Sequence, residues 1–307
     1  MTEISYTQSQ NIQKYISRIN QLRQSILLSI IDPKIELILR WNAQIERIFW
    51  ILSLTDTPLA KEEISRITRS KNTDYSKPQN LTLKIKKSLD YISQNYLSSQ
   101  KQINLKDVIE VTGYSYENIA VKTKSLDKSL KYFQTSQENP LIQAGLVHFV
   151  VIDQARHKKN YDLASLLTYL FLYKEGYDFR GLLVLDEYFR KNFDEYEFNL
   201  KDCMARGTQT LWLEFFLKSM IQALAKAQNL IQDAVIADSK SPAFKLNSRQ
   251  KTILSFLDTP GSSITNRNVQ KMFGVSQITA SRDLTGLSRL LLILSKGKGR
   301  SVYYTKV

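Results

Sequence analysis

Residues 140–178, PLIQAGLVHFVVIDQARHKKNYDLASLLTYLFLYKEGYD, limit the fold more than any other part of the chain. The stretch reads as a buried helix, a polar interruption and a second, mostly apolar helix. A helix with one apolar stripe can lie on a surface, whereas a helix apolar on every face must be enclosed by other elements. The longest unbroken apolar runs of the chain, such as 149–152 and 290–294, fall far short of the ~20 residues that span a bilayer. The pair therefore predicts the centre of a helical, non-membrane body.

A chain of 307 residues suggests about two domains. At 43% hydrophobic it can bury real cores, and 10 glycines and 6 prolines leave room for long helices. Cys203 is the single cysteine, which excludes an internal disulfide and fits a reduced, cytoplasmic protein. The opening MTEISYTQSQ lacks the basic flank and apolar core of a secretory signal. A net charge of +14 hints at an acidic partner such as nucleic acid, but its distribution says more than its total. Residues 246–307 hold ten lysines and arginines against Asp258 and Asp283, a net +8. The preceding four fifths of the chain carry the remaining +6.

Taken in order, 8–31 reads as a helix with Ile12, Ile16, Ile19, Leu22 and Ile26 on one stripe. Asp32-Pro33 then supplies a cap and a first-turn proline. The next helix is predicted to bury Leu37, Trp41, Ile45, Ile48 and Leu52, and Thr57-Pro58 ends it. A short helix follows over 59–68, a polar loop over 70–78, and a helix marked by Leu81, Ile85, Leu89, Ile92 and Tyr96. Residues 103–122 have helix-turn-helix spacing, with Gly113 as the turn and Ser115 opening a second helix. That second helix lacks a basic face, so two packing helices are the alternative.

Pro140-Leu141-Ile142-Gln143-Ala144 with His148, and Leu166-Leu167-Thr168 through Gly176-Tyr177-Asp178-Phe179, resemble the two flanks of the active-site motif of the Fic (Fido) family of nucleotidyl-transferring enzymes. RGLLVLDEYFRKNFDEYEFNL and TLWLEFFLKSMIQAL resemble later family segments, so the likeness runs roughly from 35 to 236. Between the flanks the family carries HPFxDGNGRxxR; here 153–165 reads DQARHKKNYDLAS and is one residue short. In the family the loop histidine deprotonates a target hydroxyl, an acidic residue holds a divalent metal, and the glycine turn and arginines bind phosphate. The resemblance thus implies a Fic-like scaffold with its catalytic loop erased. A loop without glycine cannot readily bring successive backbone N–H groups onto a phosphate. His157, Lys158, Lys159 and Asn160 are the candidate anion or nucleotide site, with a solvated inter-helix loop as the alternative. Thr55 stands where many family members place an inhibitory glutamate. His148 aligns with a non-catalytic family histidine and is expected to be a packed, hydrogen-bonded core residue.

From Leu246 the pattern changes. Asn247 or Ser248 can cap a helix over 249–257, Ser263-Ile264-Thr265 opens a second, Asn266–Phe273, and Ser276 caps a third over 277–290, with Gly274 as the turn. A strand over 291–294, the basic turn Lys296-Gly297-Lys298-Gly299-Arg300 and a return strand over 302–304 complete a winged helix-turn-helix. Within it VSQITASRDL (275–284) resembles the "VSxxTaxRDL" recognition helix of DeoR-type regulators. That resemblance and the charge point to Ser276, Gln277, Thr279, Ala280 and Arg282 as residues for a major groove. Lys296, Lys298 and Arg300 would meet the phosphate backbone. Asp283 is expected to orient Arg282 or cap locally. A winged helix used for protein contacts or dimerisation is the competing reading.

The fold class expected is mainly α: a helical segment (1–77) packed on a Fic-like core (78–237), a linker (238–245) and a winged helix-turn-helix domain (246–307). The function expected is a DNA-binding, transcriptional regulator on a catalytically inactive Fic-like body. It would act in the cytoplasm with DNA as partner, as a homodimer by class expectation and with a protein partner on the Fic-like domain. No catalytic residue, metal or cofactor is assigned. The alternatives are a divergent Fic enzyme transferring AMP from ATP to a protein hydroxyl, and an antitoxin-like interaction partner.

Overall fold

The two apolar runs become α7 (Pro140–Asp153) and α8 (Tyr161–Lys174), packed side by side, and both are buried along almost their whole length. Asn139 caps α7 by accepting from the Leu141 N–H at 3.0 Å, and Pro140 takes the first position, where an N–H would have no partner. The computed structural model describes residues 3–70, 75–113, 121–155, 160–239, 246–257, 262–289, 292–297 and 302–306. Among these, fourteen α-helices and one two-stranded sheet are present, and no helix is long and apolar enough to cross a membrane.

The chain divides into two compact units, Met1–Gln232 and Asp233–Val307. The first contains α1 (Gln10–Leu28), α2 (Pro33–Leu54), α3 (Lys61–Arg69), α4 (Lys77–Asn95), α5 (Leu105–Thr112) and α6 (Thr123–Thr135) before the central pair. After it come a 3₁₀ turn (Phe179–Gly181), α9 (Asp186–Lys191), α10 (Phe193–Arg206) and the start of α11 (Thr210–Ser239). Helices α2, α4 and α5 cover α8, and α6 covers α7. Gly145 lets α11 close on α7: a Cβ there would lie 2.9 Å from Phe216 Cδ1, and Trp212 Nε1 donates to the Gly145 carbonyl at 2.7 Å.

Several polar groups inside this core bond across helices. Arg47 of α2 is buried and donates to the Gly181 carbonyl (2.6 Å) and the Tyr173 hydroxyl (3.2 Å). Asp186 is buried and accepts from Ser165 and, at 2.9 Å, from the Tyr169 hydroxyl of α8. Burial pushes the Asp186 carboxyl above its ordinary range, against the pull of those two donors.

Several expected boundaries move. Helix α1 begins at Gln10, because Ser9 caps it by accepting from the Ile12 N–H at 3.2 Å, and it ends at Leu28 rather than Ile31. The expected buried stripe of α2 holds at Ile45, Ile48 and Leu52 but fails at Leu37, which is 64% exposed. The first turns of α2 border an open groove instead of the core. Helix α5 is capped by Asn104 and stopped by Gly113 at φ +62°, while the second helix expected from Ser115 falls outside the described residues. Helix α11 runs on through Asp238 and Ser239, which the sequence assigned to a linker.

In the second unit α12 (Ser248–Leu257), α13 (Asn266–Phe273) and α14 (Gln277–Arg289) precede β1 (Ile293–Lys296) and β2 (Tyr303–Lys306). The strands pair antiparallel with Ile293 opposite Lys306 and Lys296 opposite Tyr303. Ile264 adds a bridge to Tyr304 through two backbone bonds of 2.8 and 2.9 Å. Both strands sit later than expected, so Lys296 ends β1 rather than opening the turn. Ile253, Leu257, Ile264, Val269, Ala280, Leu284, Leu287 and Ile293 form the core of this unit.

Candidate functional site

Helix α14 is set by its neighbours before it can present anything. Gly274, at φ +63°, makes the left-handed turn that ends α13 and releases the chain into α14. Ser276 then caps α14: its Oγ accepts from the Thr279 N–H at 3.3 Å and lies 3.1 Å from the Thr279 hydroxyl. At the start of α12, Asn247 and Gln250 cap each other, Oδ1 taking the Gln250 N–H at 2.9 Å and Oε1 the Asn247 N–H at 3.1 Å.

Asp283 locks these two helices together. It is buried and accepts from Asn247 Nδ2 at 2.8 Å and Arg249 Nε at 2.7 Å. Burial raises its pKa, but the bonds from Arg249 and Asn247 outweigh that and hold the carboxyl below its ordinary range. The expected partnership with Arg282 is therefore corrected: Asp283 faces α12, because position 283 lies on the buried side of α14 and Arg282 on the exposed side.

The exposed face of α14 carries Gln277, Ile278, Ser281, Arg282, Thr285 and Arg289. Among the residues expected to meet DNA, Ser276, Gln277 and Arg282 are exposed and Thr279 is half-buried, but Ala280 is not available. Its methyl is fully buried against the core of the unit, one turn before Leu284 on the same face. Sequence reasoning missed Ile278, Ser281, Thr285 and Arg289. The 3.6-residue period that places Ala280, Leu284 and Leu287 inside would have placed these four outside. A shallow cavity of about 830 Å³ runs beside this face, with Asn247 and Gln250 on one wall and Gln277, Ile278, Arg282 and Arg289 on the other. Lys296 is exposed at the end of β1, and Lys298 and Arg300 lie outside the described residues.

The loop between α7 and α8 offers less. Gln154 and Ala155 are tied to the start of α6, through Lys122 N–H to the Gln154 carbonyl (3.2 Å), Gln154 Nε2 to Ser129 (3.3 Å) and a bridge from Ala155 to Val121. His157, Lys158 and Lys159 lie outside the described residues. Asn160 is half-buried just before α8, and its Nδ2 is buried without an acceptor among the described residues. Tyr161, next to it, donates to Glu197 at 2.6 Å.

His148 is the packed core residue the sequence led us to expect. Nδ1 is 3.0 Å from the Thr168 hydroxyl, Nε2 is 2.7 Å from the Tyr196 hydroxyl, and the ring stacks on Trp212 at 5.2 Å. Burial without a counter-charge pushes its pKa down to about 3, so the ring is neutral at pH 7 and walled off from any substrate.

The whole chain resembles the crystal structure of a Fic family protein from Desulfovibrio desulfuricans G20, with a TM-score of 0.63 and 13% identity over 98% of this chain and 97% of that one. A Fic domain containing signaling protein from Bacteroides thetaiotaomicron VPI-5482 matches with a TM-score of 0.52 and 14% identity over 73% of this chain and 98% of that one. At such identities the likeness establishes the fold, and the chain has a Fic-like helical fold. No protein-family model matches the sequence, and no curated protein does either.

Proposed function

We propose that the protein is a duplex-DNA-binding regulator whose second unit works as a winged helix-turn-helix and whose Fic-like body senses a signal or a partner in the cytoplasm. The observation that supports this most is the exposed face of α14. Short and polar side chains with two arginines stand clear of the surface on a helix held from behind by Asp283. The cationic excess of 246–307 supplies the phosphate attraction such a reader needs. Gln277 and Arg282 are side-chain types that pair with adenine and guanine edges, and the cationic Lys296, Lys298 and Arg300 are of the type that contacts the phosphate backbone.

The test is fluorescence anisotropy of the full-length protein with short duplexes from its own upstream region, at two salt concentrations. Tight binding to one duplex, lost in Arg282→Ala and made less salt-sensitive by replacing Lys296, Lys298 and Arg300 with Ala, supports the reading. Equal, salt-collapsing affinity for every duplex removes it.

The fold also favours a second reading, nucleotidyl transfer from ATP to a protein hydroxyl. Against it stands the run DQARHKKNYDLAS, which has no glycine turn. Label transfer from ATP that disappears in His157→Ala would decide for it.

A further inference from the structure

The corner where α1 meets α2 exposes apolar side chains that the fold holds outward. Ile30 is 92% exposed and Leu28 is 72%, with Leu27, Leu37, Ile38 and Leu230 also exposed around them. The run from Leu27 to Ile31 contains no charge. Beside the corner lies a groove of about 860 Å³ between α2, α3 and α11, lined by Leu37, Ile38, Trp41, Val184, Ala227 and Leu230.

This corner is anchored rather than frayed. Arg180 donates to the carbonyls of Ser29 (2.7 Å) and Ile26 (3.3 Å) and forms a two-pronged ion pair with Glu36. To reach there, Phe179 and Arg180 adopt φ of +49° and +57°, a left-handed backbone that side chains other than glycine resist. Gln228 Nε2 bonds Ser25 Oγ at 2.7 Å, which fixes the turn of α11 before Leu230 against α1. Strain and hydrogen bonds are thus used to keep isoleucine and leucine in water.

We infer that this corner is an interaction surface for a second copy of the same chain, with the projecting Leu28 and Ile30 of each copy entering the groove of the other. Two observations select a second copy over an unrelated partner. The projection and the socket lie side by side on one face, which a two-fold arrangement requires and a one-sided partner does not. The groove rim carries charge of both signs, with Glu62 making no ion pair among the described residues and Arg69 resting on the Trp41 ring at 4.9 Å, so the face does not repel itself. The combined exposure of the six aliphatic residues equals between three and four fully exposed side chains. That is on the order of several hundred Å², the size at which an apolar patch marks an association site.

Sedimentation velocity of the full-length protein from about 1 to about 100 μM tests this. Ile30→Glu and Leu37→Glu are surface changes that leave the core untouched, and Phe198→Glu, at another exposed apolar site on the same unit, is the control. The wild type and the control are expected to be dimers, with both corner variants weakened at least about tenfold, the worth of one buried aliphatic side chain. A wild type that stays monomeric throughout overturns the inference. So does a dimer that both corner variants leave intact, because another face then makes it.

Discussion

Acid should weaken the first unit through one residue. His148 is neutral and enclosed, with a pKa of about 3, whereas in the unfolded chain it returns to about 6.5. The unfolded state therefore takes up a proton as pH falls below 6.5, and the folded state does not until about 3. Stability is lost on going down, at up to about 1.4 kcal/mol per pH unit. From pH 7 to pH 5 this one group should cost about 2 kcal/mol. All three tryptophans, Trp41, Trp50 and Trp212, lie in the first unit, and Trp212 stacks on the imidazole, so urea unfolding followed by tryptophan fluorescence reads this unit alone. His148→Gln keeps a side chain able to bond Tyr196 or Thr168 and cannot titrate. Other carboxylates, Asp186 among them, titrate alike in both proteins and cancel in the comparison. The variant should be less stable at pH 7, and its loss between pH 7 and pH 5 should be smaller than that of the wild type by about 2 kcal/mol. Equal losses in the two proteins would refute the reasoning and place the acid sensitivity elsewhere.

Gly145→Ala should lower stability by about 1–2 kcal/mol, since driving a methyl to 2.9 Å from the Phe216 ring costs more than the helix gains from alanine, a balance that thermal unfolding would read. Arg180→Ala strands Glu36 and the Ile26 and Ser29 carbonyls, so about 2–3 kcal/mol should be lost in urea unfolding, and self-association should weaken with it. Asp283→Ala removes the tie between α12 and α14. Amide hydrogen exchange in both helices should rise, with about 1–3 kcal/mol lost from the second unit. In the wild type that tie is present above the ordinary aspartate pKa of about 3.9 and fades as pH falls through the lowered value.

Much of the architecture could be read from residue order alone. Helix starts were legible where a short polar side chain precedes an apolar period, as at Asp32-Pro33 and Ser276. Turns were legible where glycine takes φ above zero, as at Gly113 and Gly274. Burial was less legible at the ends of long helices. Leu37 fits the stripe of α2, but whether a stripe is covered depends on what lies opposite, and opposite Leu37 is a groove. At the candidate interface, Arg282 and Gln277 were found by type and position, while Ala280 was misplaced because a small residue suits both a close approach to DNA and a tight core. Ile278 was overlooked because an aliphatic side chain in a helix suggests the interior. The partnership of Asp283 with Arg249 joins residues 34 positions apart, and no local pattern announces it.

Helices apolar on every face carry no information about their own rotation. In α7 and α8 an apolar side chain lies in nearly every direction, so hydrophobicity alone would accept many angular settings of one against the other. The few polar groups remove that degeneracy. A slip of α8 by one residue turns it about 100°, taking Thr168 from His148 and Ser165 and Tyr169 from Asp186. Each polar group would then face hydrocarbon at about 1–3 kcal/mol apiece. The alignment of the central helices is thus addressed by a handful of hydroxyls, one imidazole and one carboxyl. Tolerance to substitution should be inverted accordingly: the many aliphatic residues can trade places among themselves, and the polar minority cannot.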